Sequence, residues 1–288
     1  MSHSRRQPLR SLLMGLMLAC VCSTSVSWNA QQALSQPSQL PKAPIPTAPK
    51  APVPPALIAQ LAKVDAAANQ KSLETLIDFY SPDFVNSDGL NREALKQTIK
   101  AFWQDYQTLT YKTEVLSWAT TAQGGYTVET NTTVMGSRPF DQGTLQLQSS
   151  LKGRQTWLNG RITQQEVIAE QSQMTSGANP PEVKVNLPQE VTVGQKFDFD
   201  VVVAEPLGEK PLLGVALEEP ITKESYLTQP ALKLELLPAG GLFKVGQAPS
   251  QPANHWISAI LVQEGGMTIV SHRLKVVQRS TAAQPKRQ

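Results

Sequence analysis

The sequence predicts an α+β domain followed by an all-β sandwich. Three patterns carry this reading. Apolar residues recur at three- and four-residue spacing across residues 55–106. The period then changes to two across residues 111–170. Finally, about seven short alternating runs fill residues 183–276, the strand density of a small sandwich.

Leu57, Ile58, Leu61, Val64 and Ala68 mark one face of a first helix, with a break near Asn69. Leu73, Leu76, Ile77 and Tyr80 continue an apolar face beyond it. The stretch DFYSPDFVNSDG, residues 78–89, reads as a corner. It comprises a helix end at Tyr80, a proline-set turn at Ser81-Pro82 and a second turn at Asp88-Gly89. Asn91 is placed to cap the next helix, with Glu93 in its first turn and Leu95, Ile99, Phe102 and Tyr106 on its apolar face. Strands are expected over 111–118, 126–134, 144–157 and 162–170, with turns at Gly124-Gly125 and Asn159-Gly160. Helices followed by an antiparallel sheet cannot bury either apolar side alone, so the helices should cover one sheet face.

Residues 177–181 separate the second unit. There Val183, Val185 and Leu187 alternate, as do Phe197, Phe199, Val201 and Val203, while Asp198 and Asp200 point the other way. Further strands are expected over 212–217, 232–236, 256–262 and 269–276. The expected organisation is an export signal (1–30), a linker (31–55), the α+β domain (56–175), the sandwich (182–278) and a flexible tail (279–288).

Lys and Arg exceed Asp and Glu by 26 to 23, but Arg5, Arg6 and Arg10 sit in a segment without acids, and the rest is formally neutral. This gives no case for nucleic-acid steering. The start, SRRQPLRSLLMGLMLACVC, joins a basic region to an apolar run too short to span a bilayer comfortably. It reads as an export signal with an exit near SWNA (27–30); a retained membrane anchor is the competing reading. Arg5-Arg6 resembles a twin-arginine signal, from which Pro8 departs. Met17-Leu-Ala-Cys20 resembles a lipoprotein box and makes Cys20 a lipidation candidate, although Met17 is not the preferred residue there. The only other cysteine is Cys22, so cleavage beyond it leaves no disulfide, thiol nucleophile or thiolate metal site. Residues 31–55 carry eight prolines and should form an extended spacer. The expected location is the periplasm or cell envelope.

The helical lead-in, FYSPDF, the short loop to a second helix and the strand order resemble the nuclear transport factor 2-like (NTF2-like) superfamily, which includes ketosteroid isomerase and SnoaL-like proteins. The resemblance covers roughly residues 56–175. With VNLPQEVTVGQKFDFD and LELLPAGGLFKVG behind it, the whole is similar to exported NTF2-like proteins of cyanobacteria. The second unit resembles an immunoglobulin-like domain without its disulfide. The resemblance implies a cone in which a sheet wraps the helices and can leave a pocket. It also makes a homodimer plausible.

The first domain contains no histidine, so a His–Asp dehydratase pair, a Ser–His–Asp triad and a His metal site are absent from it. His255 and His272 fall in the second unit without metal spacing. An isomerase-like mechanism would need one carboxylate to move a proton and a tyrosine to stabilise the enolate. The candidates are Tyr80, Asp83, Glu114 and Glu129. Tyr80 also fits a core position, Asp83 a turn cap, and Asp88 ordinary turn chemistry. Trp103, Tyr111, Trp118 and Trp157 are candidates for lining an apolar pocket or for packing the core. Neither a cofactor nor a metal is expected. The first reading is therefore a non-enzymatic envelope protein that binds a protein partner or a small apolar ligand. An Asp/Glu–Tyr enzyme and a purely structural spacer are the alternatives.

Overall fold

The computed structural model describes residues 52–140, 143–204, 211–227, 232–237 and 240–279. The stretch expected to act as an export signal, Cys20, most of the proline-rich linker and the tail beyond residue 279 lie outside the described residues. Among those described, no helix is long and apolar enough to cross a membrane.

The protein is mostly antiparallel sheet, with a few helices near the start. Helix α1 (Pro55–Asn69) opens with proline in its first turn, where a missing N–H costs nothing. It buries Leu57, Leu61, Ala67 and Ala68, whereas Ile58 is half exposed. Lys71 adopts a left-handed φ of 51° and turns the chain into α2 (Leu73–Ile77). The Lys71 ammonium donates to the carbonyls of Trp103 and Tyr106. These carbonyls end α3 (Arg92–Asp105), so a cation caps the negative end of that helix. Lys71→Met should lower stability by about 1 kcal/mol, measured by urea unfolding. At the other end of α3, the Asn91 side chain accepts from the Ala94 N–H at 2.9 Å, the cap its sequence position predicts.

The helix end expected at Tyr80 and the turn expected at Ser81-Pro82 are instead a strand, β1 (Tyr80–Asn86). It pairs in parallel with β5 (Arg161–Gly177), and the register breaks between Tyr80 and Val85. Pro82 lies in that break, where no ladder donor is needed. Strands β2 (Thr108–Thr120), β3 (Tyr126–Phe140) and β4 (Gly143–Leu158) complete an antiparallel run with β5. Asn159 and Gly160 join β4 to β5 with φ of 52° and 74°, the conformation a tight hairpin requires.

The outer edge of β2 is closed by α1. The Asn69 amide accepts from the Tyr111 N–H and donates to the Tyr111 carbonyl, and Asp65 accepts from the Thr113 N–H. Two side chains thus stand where another strand would pair.

The second unit builds onto the same sheet. The remaining strands are β6 (Val183–Asn186), β7 (Glu190–Thr192), β8 (Lys196–Val203), β9 (Leu213–Pro220), β10 (Glu235–Leu236), β11 (Gly241–Gln247), β12 (Ala253–Gln263) and β13 (Gly266–Val277). A single path runs β10-β9-β12-β13-β5-β4-β3-β2. Its junction is the antiparallel pairing of β13 with residues 171–177 of β5. Strands β11, β8 and β6 form a separate three-stranded sheet.

The shared sheet divides two cores by simple alternation. Ile260, Met267 and Ile269 join the cluster beneath the helices, with Tyr80, Phe84, Trp103, Tyr106 and Trp157. Ile257, Ala259, Leu261, Val270, Leu274 and Val276 point to the opposite face and pack against Phe197, Phe199 and Val201 of the small sheet. Strand β12 is therefore buried on both faces, which accounts for its unbroken apolar run ISAILV.

Candidate functional site

The interior beneath the helices gathers three tyrosines. Tyr80 stacks edge-on against Phe84 at 4.8 Å, and burial pushes its hydroxyl up to about 12. Tyr111 accepts from Trp103 Nε1 at 2.9 Å. Tyr106 lies against Met174, and the Arg138 guanidinium sits 5.9 Å from its ring centroid. Burial also raises Tyr106 and Tyr111 well above the ordinary phenol range. The sign for stability follows. The unfolded chain releases these protons first, so stability is complete below the ordinary tyrosine value of about 10. It falls as pH rises toward 12. Alkaline unfolding followed by circular dichroism should start in that window, earlier than in a variant with Tyr80→Phe.

The carboxylate candidates do not converge on these hydroxyls. Asp83 is exposed on β1. Glu114 is exposed and pairs with Lys112 at 2.7 Å. Glu129 is buried, but it neighbours Val128, which faces the interior, and so points to the other sheet face. There it accepts from Arg154 at 2.7 Å, and Arg154 also reaches Glu166 at 2.6 Å. Lys275 of β13 completes this row at 3.1 Å from Glu166. The indole candidates serve the core: Trp157 and Trp103 are buried, and Trp118 packs beside them against Tyr126.

Asp105 is a group that sequence reasoning did not select. Its Oδ2 is buried without a hydrogen-bond partner among the described residues. Burial raises its carboxyl above the ordinary range, and Arg138 opposes that rise. Its position at the end of α3 gave no sequence signal beyond proximity to Tyr106.

The largest departure from the sequence reading is Asp88. Gly89 does adopt a turn conformation, with φ of 85°. The Asp88 carboxylate, however, is fully buried and bonded to the second unit. Arg273 of β13 donates to both of its oxygens at 2.8 and 2.9 Å. Tyr226 donates to it at 2.6 Å and Asn254 at 3.3 Å. Arg273 also reaches Glu170 at 3.1 Å, which accepts from Trp256 Nε1 at the same distance. Burial by itself disfavours the Arg273 cation, but Glu170 and Asp88 outweigh that and hold it above the ordinary arginine value. This network joins the units behind the β5–β13 pairing. Its members are 138 to 185 residues from Asp88, or meet it through Arg273, so no local spacing reveals them.

The same junction forms a groove of about 360 Å³. Phe140, Leu234, Val262 and Met267 give it apolar walls, and Ser176 and Gln263 add polar groups. Its rim is backbone. Gly177 has φ of 99°, and a Cβ there would meet the Gly265 carbonyl at 2.3 Å. Thr268 Oγ1 donates to the Pro181 carbonyl and Asn179 N–H to the Gly265 carbonyl, which fixes the connector against β13. Among the described residues, no cluster of three or more His, Cys, Asp or Glu side chains is placed to hold a metal ion.

Residues 178–277 match the family described as Domain of unknown function (DUF8623). No curated protein matches the chain. Among solved structures, a protein described as a scytalone dehydratase from Novosphingobium aromaticivorans is similar at 12% identity and a TM-score of 0.34, over 39% of this chain and 80% of that one. A loop-truncation variant of IdmH is similar at 16% identity and a TM-score of 0.29, over 38% and 90%. An LEH-like epoxide hydrolase of M. tuberculosis is similar at 12% identity and a TM-score of 0.27, over 39% and 80%.

Proposed function

We propose that this chain is a non-enzymatic binding protein of the cell envelope, an NTF2-like module joined to an immunoglobulin-like sandwich, that takes a small apolar ligand at the junction of the two. The observation that carries this is the groove of about 360 Å³, walled by Phe140, Leu234, Val262 and Met267 from both units. Concave, mostly apolar clefts with a few polar groups at unit boundaries are where small molecules bind. The tyrosine-rich interior offers less, because its hydroxyls pack against Trp103 and Met174 and the carboxylates Asp83, Glu114 and Glu129 face elsewhere. Envelope location rests on the export signal and proline-rich spacer. Fractionation tests it, and release of the protein without detergent would count against lipidation at Cys20.

Native mass spectrometry of the intact protein with a panel of fatty acids and planar polycyclic compounds tests the binding site. At least one class should bind, and Val262→Trp should abolish that binding in a protein that still unfolds cooperatively. Equal binding by the filled variant would place the ligand elsewhere.

One observation favours a second reading, a proton-transfer enzyme. Asp105 is a carboxylate with an unpartnered buried oxygen and a raised pKa beside Tyr106. That reading predicts α-proton exchange of a cyclic ketone in deuterated buffer, lost in Asp105→Asn. No exchange above buffer in the native protein would dismiss it.

A further inference from the structure

The two sheets treat their edges differently. The outer edge of β2 is closed by Asn69 and Asp65. Strand β11 lies at the edge of the three-stranded sheet, and among the described residues it pairs only with β8. Its seven-residue register carries no bulge and no proline, two common devices for protecting an edge. The Gly240 carbonyl accepts from Val203 and the Gln195 carbonyl from the Ala248 N–H, so these bonds bracket the strand. Strict alternation between them turns the peptide groups of Phe243 and Val245 away from β8.

The outward side chains are also unusual. Phe243 is 55% exposed and Val245 71%, and Val202 on the adjacent strand is 38% exposed. Asp200 lies directly across from Phe243, and Asp198 across from Val245. Lys184, opposite Val202, and Lys196, opposite Gln247, flank this acidic pair on the same face, and Asp200 accepts from the Asn186 amide at 3.0 Å. The inner side of this edge is firmly packed, since the Phe197 ring covers Gly246 so closely that a Cβ there would meet it at 2.3 Å. The strand is thus held rigidly on one side and open on the other.

We propose that β11 docks an extended basic segment of a partner protein by strand addition. Backbone groups of the segment pair with those of Phe243 and Val245. Its Lys or Arg side chains lie across Phe243 and Val245 and reach Asp200 and Asp198. A cation over the Phe243 ring gains from the ring face as well as from the carboxylates. A second copy of this chain fits less well. Pairing of two β11 strands lays Gly241, Phe243, Val245 and Gln247 of the second copy on this face, none of them a cation for Asp200 and Asp198.

The test uses the full chain and two synthetic peptides the length of β11, one alternating Val with Lys and one alternating Val with Glu. Binding is read by fluorescence anisotropy. The Lys peptide should bind and the Glu peptide should not. Asp198→Asn with Asp200→Asn should weaken the Lys peptide about three- to ten-fold, and raised salt should act in the same direction. Val245→Pro should abolish binding and leave the thermal midpoint unchanged, because its N–H faces solvent. No binding of the Lys peptide, equal binding of both peptides, or binding insensitive to Val245→Pro overturns the proposal. Sedimentation showing a dimer dissolved by Val245→Pro would overturn it in favour of a second copy. None of these outcomes depends on the junction groove.

Discussion

Arg273→Met is expected to cost about 3–5 kcal/mol, the range for removing one partner of a buried ion pair. The guanidinium is 1% exposed and Asp88 is 0%. Without Arg273, Asp88 would remain a buried acid and Glu170 a half-buried one, sharing the neutral donors Tyr226, Asn254, Trp256 and a longer contact from Ser87. The unpaired charge dominates the cost, more than lost packing. Pairing Arg273→Met with Asp88→Asn should therefore recover part of the loss. Urea unfolding of the four combinations gives the coupling energy directly. A double variant no more stable than Arg273→Met alone would mean that Asp88 contributes by shape, with its charge irrelevant.

Gly177→Ala is expected to cost about 3 kcal/mol, because backbone strain and steric overlap add at one position. With φ of 99°, any Cβ is strained there, and it would meet the Gly265 carbonyl at 2.3 Å. Gly266, the register partner of Gly177, is equally confined by Pro180. Relief requires β5 and β13 to separate at their ends, which opens the groove as well as the sheet. The variant should lose stability and ligand binding together. A stable Gly177→Ala protein with an intact groove would show that the junction is looser than this packing implies.

The sequence displayed these features unequally. The α1 face, the Asn91 cap and the Asn159-Gly160 hairpin were readable because each depends on residues within one turn or one loop. The strand at Tyr80–Asn86 was hidden by Pro82, which usually ends regular structure and here occupies a register break against β5. The junction was hidden for a different reason. Glycines at 177, 265 and 266 look like linker and turn punctuation, and only the pairing of β13 with β5 shows that they permit close backbone contact. Asp88 carried a strong local explanation as a turn residue, and nothing within the turn announces an arginine 185 residues away. One available sign was Arg273 itself, a charge inside the apolar alternation of β13. ISAILV was a second such sign, since a continuous apolar run fits a strand covered on both faces better than a half-exposed one.

The β5–β13 pairing and the Asp88–Arg273 network join the two units, which are therefore expected to unfold as a single cooperative body, with the groove present only while that body is intact. Differential scanning calorimetry of the intact protein at neutral pH tests this most directly. One transition should appear, with the calorimetric enthalpy equal to the van't Hoff enthalpy. Two resolved transitions, or a calorimetric enthalpy well above the van't Hoff value, would contradict it.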